Sequence, residues 1–140
     1  MPDFLLKIFM TVNVLLIRIS RGRLGTKLGT QRVLLLHTVG RKSGKHRLTP
    51  IAYFQGERSF FIVASNWGKD HQAAWFYNLM SQPKTLVEID GKTLPVEAHQ
   101  AEGEEYSRLW NYAIQRHPPY KHHQEMTARP IPIVVLVPAG

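Results

Sequence analysis

The chain has 140 residues, 44% of them hydrophobic and 20% charged, with a net charge of +8 and no cysteine. A chain of this length fits one domain spanning 1–140 and buries roughly 70% of its unfolded surface, which excludes a disordered protein. The missing cysteine excludes a disulfide framework and thiolate chemistry, and is compatible with a reducing cytoplasm.

The charge is unevenly placed. No acidic residue occurs between Asp3 and Glu57, whereas ten lysines and arginines fall in that interval, from Lys7 to Arg47. Such a one-sided basic half points to an acidic partner: nucleic acid, anionic lipid or a multiply charged small molecule.

Phe4 to Ile19 is strongly apolar and reads as a helix with Asp3 near its start. Its uncharged run from Ile8 to Ile17 holds ten residues, against the ~20 that a spanning helix needs. A transmembrane segment is therefore rejected, and no small-residue cleavage site follows to suggest a secretory signal. The helix either packs on the domain or a second copy, or lies on a membrane. In the membrane reading, the basic residues up to Lys27 meet anionic headgroups on the inner face. Ser20 to Gln31, with three glycines, reads as a loop.

Three strands are expected next: Arg32–Thr38, Leu48–Phe54 and Ser59–Ser65, forming an antiparallel meander. Asn66–His71 is a polar loop, and Ala73–Ser81 a short helix ended by Pro83. Asp90-Gly91 joins strands Thr85–Ile89 and Lys92–Ala98 in a hairpin. Glu102–Arg116 is an amphipathic helix with acids in its first turns and Arg116 in its last, which suits the macrodipole. Pro118-Pro119 stops it. His117–Pro130 reads as an irregular polar segment and Ile131–Val137 as a final strand. The expected fold is mainly β with helices (α+β): a small antiparallel barrel of about six strands with two to three flanking helices.

The first two strands enclose Gly40-Arg41-Lys42-Ser43-Gly44-Lys45-His46-Arg47, with four cations in seven residues. Glycine permits a tight bend, and successive amides in such a bend form an anion-binding concavity. Arginine forks and lysine ammoniums around it favour phosphate or carboxylate. A solvated basic hairpin tip is the plainer reading of that loop alone. His117, His122, His123 and Glu125 match no standard zinc spacing, so no metal is expected. The common nucleophile, phosphate-loop and dinucleotide motifs are missing. Aromatics are not interleaved with the basic residues as single-strand readers require, so no nucleic acid is expected. Small Ala64 and Ser65 at a strand end leave room for a flat ring, which Trp75 could wall in unless it is ordinary helix core.

Four segments in order, LLLHTVGRKSGKHRLTPIAY, FIVASNWG, AAWFYNLMSQP and ARPIPIVVL, make the chain resemble the deazaflavin-dependent nitroreductase family, small split β-barrel oxidoreductases. The resemblance covers nearly the whole chain from Asn13 onward. It implies a reduced 8-hydroxy-5-deazaflavin of the coenzyme F420 type, carrying a phosphate and glutamate tail. Arg41, Lys42, Ser43, Gly44 and Arg47 match the positions that hold this tail, and Pro50 the position beside the ring. Lys45 joins them on chemistry alone. Ser65, Asn66, Ala74 and Trp75 match positions lining the ring or the acceptor.

The implied reaction is hydride donation to a small hydrophobic acceptor: a quinone, an activated enone or a nitroaromatic. The cofactor carries the chemistry and the protein supplies position. Solvent, Ser65, or the segment with Tyr120 and His123 would supply the proton. Relatives that reduce nitroimidazoles carry three tyrosines where this chain has His117, Tyr120 and His123, and often a His-Pro pair where it has Gln72-Ala73. A non-catalytic cofactor-binding module, and a related barrel binding FMN or haem, are the alternatives. A homodimer is compatible with the sequence.

Overall fold

A computed structural model describes residues 27–28, 31–56 and 58–139. The apolar helix expected over Phe4–Ile19 lies outside the described residues. Lys27–Leu28, expected in a loop, forms a short strand β1 against Gln31–Arg32. The meander follows as β2 (Gln31–Val39), β3 (His46–Gln55) and β4 (Phe60–Val63). A tight turn at Asn66–Gly68, in which the Gly68 amide donates to the Ser65 carbonyl at 2.9 Å, leads to α1 (Ala74–Ser81). The Asp90-Gly91 hairpin joins β5 (Lys84–Ile89) to β6 (Lys92–Gln100), with Asp90 at φ 51° and Gly91 at φ 79°. Then come α2 (Gly103–Arg116), α3 (Pro119–Glu125) and β7 (Ile133–Pro138).

The strands run antiparallel in the order β1-β2-β3-β4-β7-β6-β5, and β5 also pairs with β2. That last pairing closes a six-stranded barrel, which leaves no open edge among those strands. The seam is short: Leu35 pairs with Glu88 and Leu36 with Val87. Thr85 lengthens it by donating its hydroxyl to the His37 carbonyl at 2.6 Å.

Phe60 to Val63 is buried at every position, because both faces of β4 are covered. Inside the barrel, Leu34, Leu36, Tyr53, Ile62, Val134 and Leu136 pack with Phe76 and Leu79 of α1. Outside it, Phe54, Phe61, Val63 and Val135 pack against Leu109, Ala113 and Tyr120 of α2 and α3.

The segment His117–Pro130 corrects the expectation of irregular chain. Proline lacks only a donor that the first helical turn leaves unpaired, and its fixed φ suits that turn. Pro118-Pro119 therefore ends α2 and starts α3.

Candidate active site

The β2–β3 hairpin tip is a closed, basic turn. The Gly40 amide donates to the Lys45 carbonyl at 2.8 Å, and the Gly44 amide to the Gly40 carbonyl at 2.7 Å. Gly44 stands at φ +70° with open space around it, so backbone freedom is the reason for glycine there. Ser43 Oγ accepts from the Lys45 amide at 3.2 Å. Arg41, Lys42, Lys45 and Arg47 are all exposed. No described carboxylate is within ion-pairing distance of those four side chains.

The turn is tied to α1 by a residue the sequence reading passed over. Asn78 is buried, and its Oδ1 accepts the Arg41 amide at 3.1 Å. The Arg41 guanidinium also lies 4.8 Å from the centre of the Tyr77 ring, a cation–π contact. The loop is thus held on a helix rather than waving at a sheet edge.

A second cluster gathers around the start of the segment from Ser65 to Gln72. Ser65 is 6% exposed. Its Oγ lies 3.1 Å from His123 Nδ1 of α3. Arg129 donates through Nη2 to the Ser65 carbonyl at 2.7 Å, through Nε to the Lys69 carbonyl at 2.9 Å, and through Nη1 to Gln72 Oε1 at 3.1 Å. One guanidinium so fixes the end of β4, the turn and the approach to α1. Burial holds the Arg129 pKa below its ordinary value. Burial likewise lowers His123, with the His117 and His122 charges adding to it, and burial lowers His117. The shift favours the neutral His123 ring, in which one ring nitrogen is a donor and the other an acceptor.

Asn66, Trp67 and Gly68 follow Ser65 at φ 47°, 61° and 76°. The Asn66 amide donates to the His71 carbonyl at 2.8 Å, so Asn66 braces this turn. Trp67 is 53% exposed, with its ring 6.3 Å from that of His123.

The structure brings Arg41, Lys42, Ser43, Gly44, Lys45 and Arg47 together at one hairpin end. It joins Ser65 to His123. Strand alternation sends Pro50 to the outer face of β3, away from Arg47 and Thr49. Ala74 is exposed at the first turn of α1. Trp75 is half-buried and packs on the barrel core. Tyr120 is buried in the outer core, 4.7 Å from the His117 ring and 6.1 Å from that of Phe54. Among the described residues, no three His, Cys, Asp or Glu side chains converge as a metal site.

Residues 10–138 match the family model of the F420H(2)-dependent quinone reductases. An F420H(2)-dependent quinone reductase of Mycobacterium tuberculosis H37Rv is 34% identical over 121 residues, covering 84% of this chain and 81% of its own length. The structure of an F420-H2 dependent reductase, FDR-A, superposes with TM-score 0.67 at 33% identity, over 74% of this chain and 92% of that one. A domain-swapped dimer reaches TM-score 0.71 at 29% identity, over 96% of this chain and 97% of that one. The haem storage protein HutZ of Vibrio cholerae, at 16% identity and TM-score 0.58 over 77% of this chain and 82% of its own, shares the barrel alone. With the family model matched over most of its length, the chain belongs to the F420H(2)-dependent quinone reductase family, oxidoreductases on a split β-barrel.

Proposed function

We propose that this chain reduces a quinone with reduced F420, holding the cofactor's anionic tail on the 40–47 turn and the acceptor near Ser65 and His123. The observation that carries the reading is the turn itself. Four exposed cations surround a glycine-shaped bend whose backbone is pinned to α1 by Asn78. This donor set fits a phosphate- and carboxylate-bearing tail, and ionic hydrogen bonds of that kind are the stronger ones.

When bound, the deazaflavin supplies the hydride. The protein has three tasks. The turn positions the tail, and so the ring, by charge and by its fixed backbone. Arg129 fixes the Ser65 backbone where β4 ends. The Ser65–His123 pair moves a proton. With neutral His123 donating from Nδ1 to Ser65 Oγ, the Ser65 hydroxyl is free to give its proton to the acceptor oxygen. His123 passes its Nδ1 proton to Ser65 and regains one from solvent at Nε2. One hydride and one proton convert a quinone to a hydroquinone, so the transfer balances. Tyr120, buried in the outer core, supports α3 in this scheme.

The test is a cofactor titration followed by deazaflavin fluorescence, with FMN as competitor, on the wild type and on Arg41→Ala/Lys42→Ala. The expected result is deazaflavin binding well above FMN binding, weakened at least tenfold in the double variant. The estimate assumes about 1.5 kcal/mol or more for the lost charged hydrogen bonds together. Tighter FMN binding, or a double variant that binds as the wild type does, refutes the assignment.

A further inference from the structure

At the root of the β2–β3 hairpin, on the outer face of the barrel, two imidazoles and a carboxylate form a hydrogen-bonded chain. His37 Nε2 lies 2.7 Å from Glu88 Oε2, and His37 Nδ1 lies 2.8 Å from His46 Nε2. The side chains of His37 and Glu88 are 15% and 21% exposed, whereas His46 is open to solvent. The chain crosses the barrel seam, since His37 follows Leu36 on β2 and Glu88 pairs with Leu35 from β5. It ends one residue from Lys45, which closes the basic turn.

Each of these short contacts holds one proton. An ionised Glu88 accepts from His37 Nε2–H, leaving His37 Nδ1 to accept from His46 Nε2–H. His46 Nδ1 is then the outward atom, bare in the neutral chain. One added proton turns it from acceptor to donor and places a positive charge beside the turn. Among the described residues, the charged groups near His46 are Glu88, reached through His37, Lys84 on the same face of β5, and Lys45, its chain neighbour in the turn, whereas Arg47 follows it on the opposite face of β3. A bound anion beside an imidazole favours its charged form.

We propose that His46 is an additional binding residue for the phosphate of the cofactor tail, and that Glu88 and His37 let it take up a proton as the phosphate binds. This rests on the tail-binding reading of the turn. Binding and protonation are then linked, and affinity rises as pH falls. The rise is at most about tenfold per pH unit, the limit for one whole proton.

The experiment measures F420 affinity at several pH values between 6 and 8 (a chosen range, roughly that of histidine titration). Calorimetry in two buffers of different ionisation enthalpy counts the protons taken up. The proteins are the wild type, His46→Gln and Glu88→Gln, and a deazaflavin lacking the tail controls for titration of the ring. Inorganic phosphate, followed by the histidine ring proton signals, probes the wild type alone. Expected are a several-fold affinity gain per pH unit, proton uptake, and a His46 signal moved by phosphate. His46→Gln loses the gain and the uptake, Glu88→Gln reduces both, and the tailless compound shows neither. Wild-type pH dependence and proton uptake in His46→Gln overturn the proposal, as does a His46 signal blind to phosphate. If Arg41→Ala/Lys42→Ala still weakens binding in that case, only this inference fails. If that double variant binds normally, the tail-binding reading fails with it. His46 is exposed, so its variant decides the matter even if Glu88→Gln disturbs the seam.

Discussion

Gly68 and Gly44 separate two reasons for a glycine. Both stand in the left-handed region, at φ +76° and +70°. Around Gly44 a methyl group would meet nothing within 4 Å, whereas at Gly68 it would lie 3.0 Å from the His123 carbonyl oxygen and 3.1 Å from the His123 Cα. Alanine in left-handed backbone costs about 1–2 kcal/mol. Gly44→Ala should lose only that. Gly68→Ala must also push α3 away from the turn, for a total of about 2–3 kcal/mol and a Tm lower by roughly 5–10 °C. The push falls on the residue that bonds Ser65, so turnover should drop while deazaflavin affinity holds. Thermal unfolding and a binding titration on both variants check this. Equal losses of stability at the two glycines contradict the close-packing argument. Asn66 and Trp67 share the left-handed backbone without being glycine. Such strain persists where neighbours impose it, and here the Asn66 amide and the Arg129 fork do so.

At the scale of elements, the hairpin and α1 act as one device. The Asn78 side chain is buried and accepts the Arg41 amide, so Asn78→Ala leaves that amide without its partner and lets the turn move. The expected loss is about 1–3 kcal/mol of stability and a several-fold weaker deazaflavin affinity, with the turn's own cations untouched. A denaturant midpoint and a fluorescence titration measure both. Weakened stability with unchanged affinity means that α1 does not hold the turn for binding. The strands flanking this turn were legible in the sequence because apolar runs on either side of a Gly-rich basic stretch allow little else. Asn78 was not, since a polar residue in AWFYNLMS reads as the solvent side of a helix until its burial is known. Arg129 was hidden in the same way, as one cation among many, although only its position gives it three acceptors. α3 was lost to the convention that a proline pair breaks structure, when Pro119 begins it. Trp75, read as a ring wall or as core, packs on the core.

Across the whole molecule, the barrel is completed late in the chain. β7 comes from the last described residues and fills the gap between β4 and β6, while β2 and β5 meet through only a short seam. The helix pair α2–α3 hangs on the outer face of this closure through Tyr120 and Leu109. Burying α3 there carries His117 and His123 with it, and burial lowers both pKa values from the ordinary 6.5. A lowered histidine pKa means that below about pH 6.5 the unfolded chain takes up protons which the folded chain refuses. Stability therefore rises with pH through this window and falls as the solution is acidified. Each proton contributes at most about 1.4 kcal/mol per pH unit, and less where rings stay partly solvated, as here. Asp70 has the opposite kind of charge, held below 3.8 chiefly by its hydrogen bond to His71, so its effect falls at more acid pH. Urea midpoints measured from about pH 7 to about 5 should decline in the wild type, and His117→Gln/His123→Gln should flatten that decline. A double variant that loses stability as steeply as the wild type does would assign the acid sensitivity elsewhere. It would also remove the reason for treating His123 as the neutral partner of Ser65, because the same burial is what favours its uncharged ring.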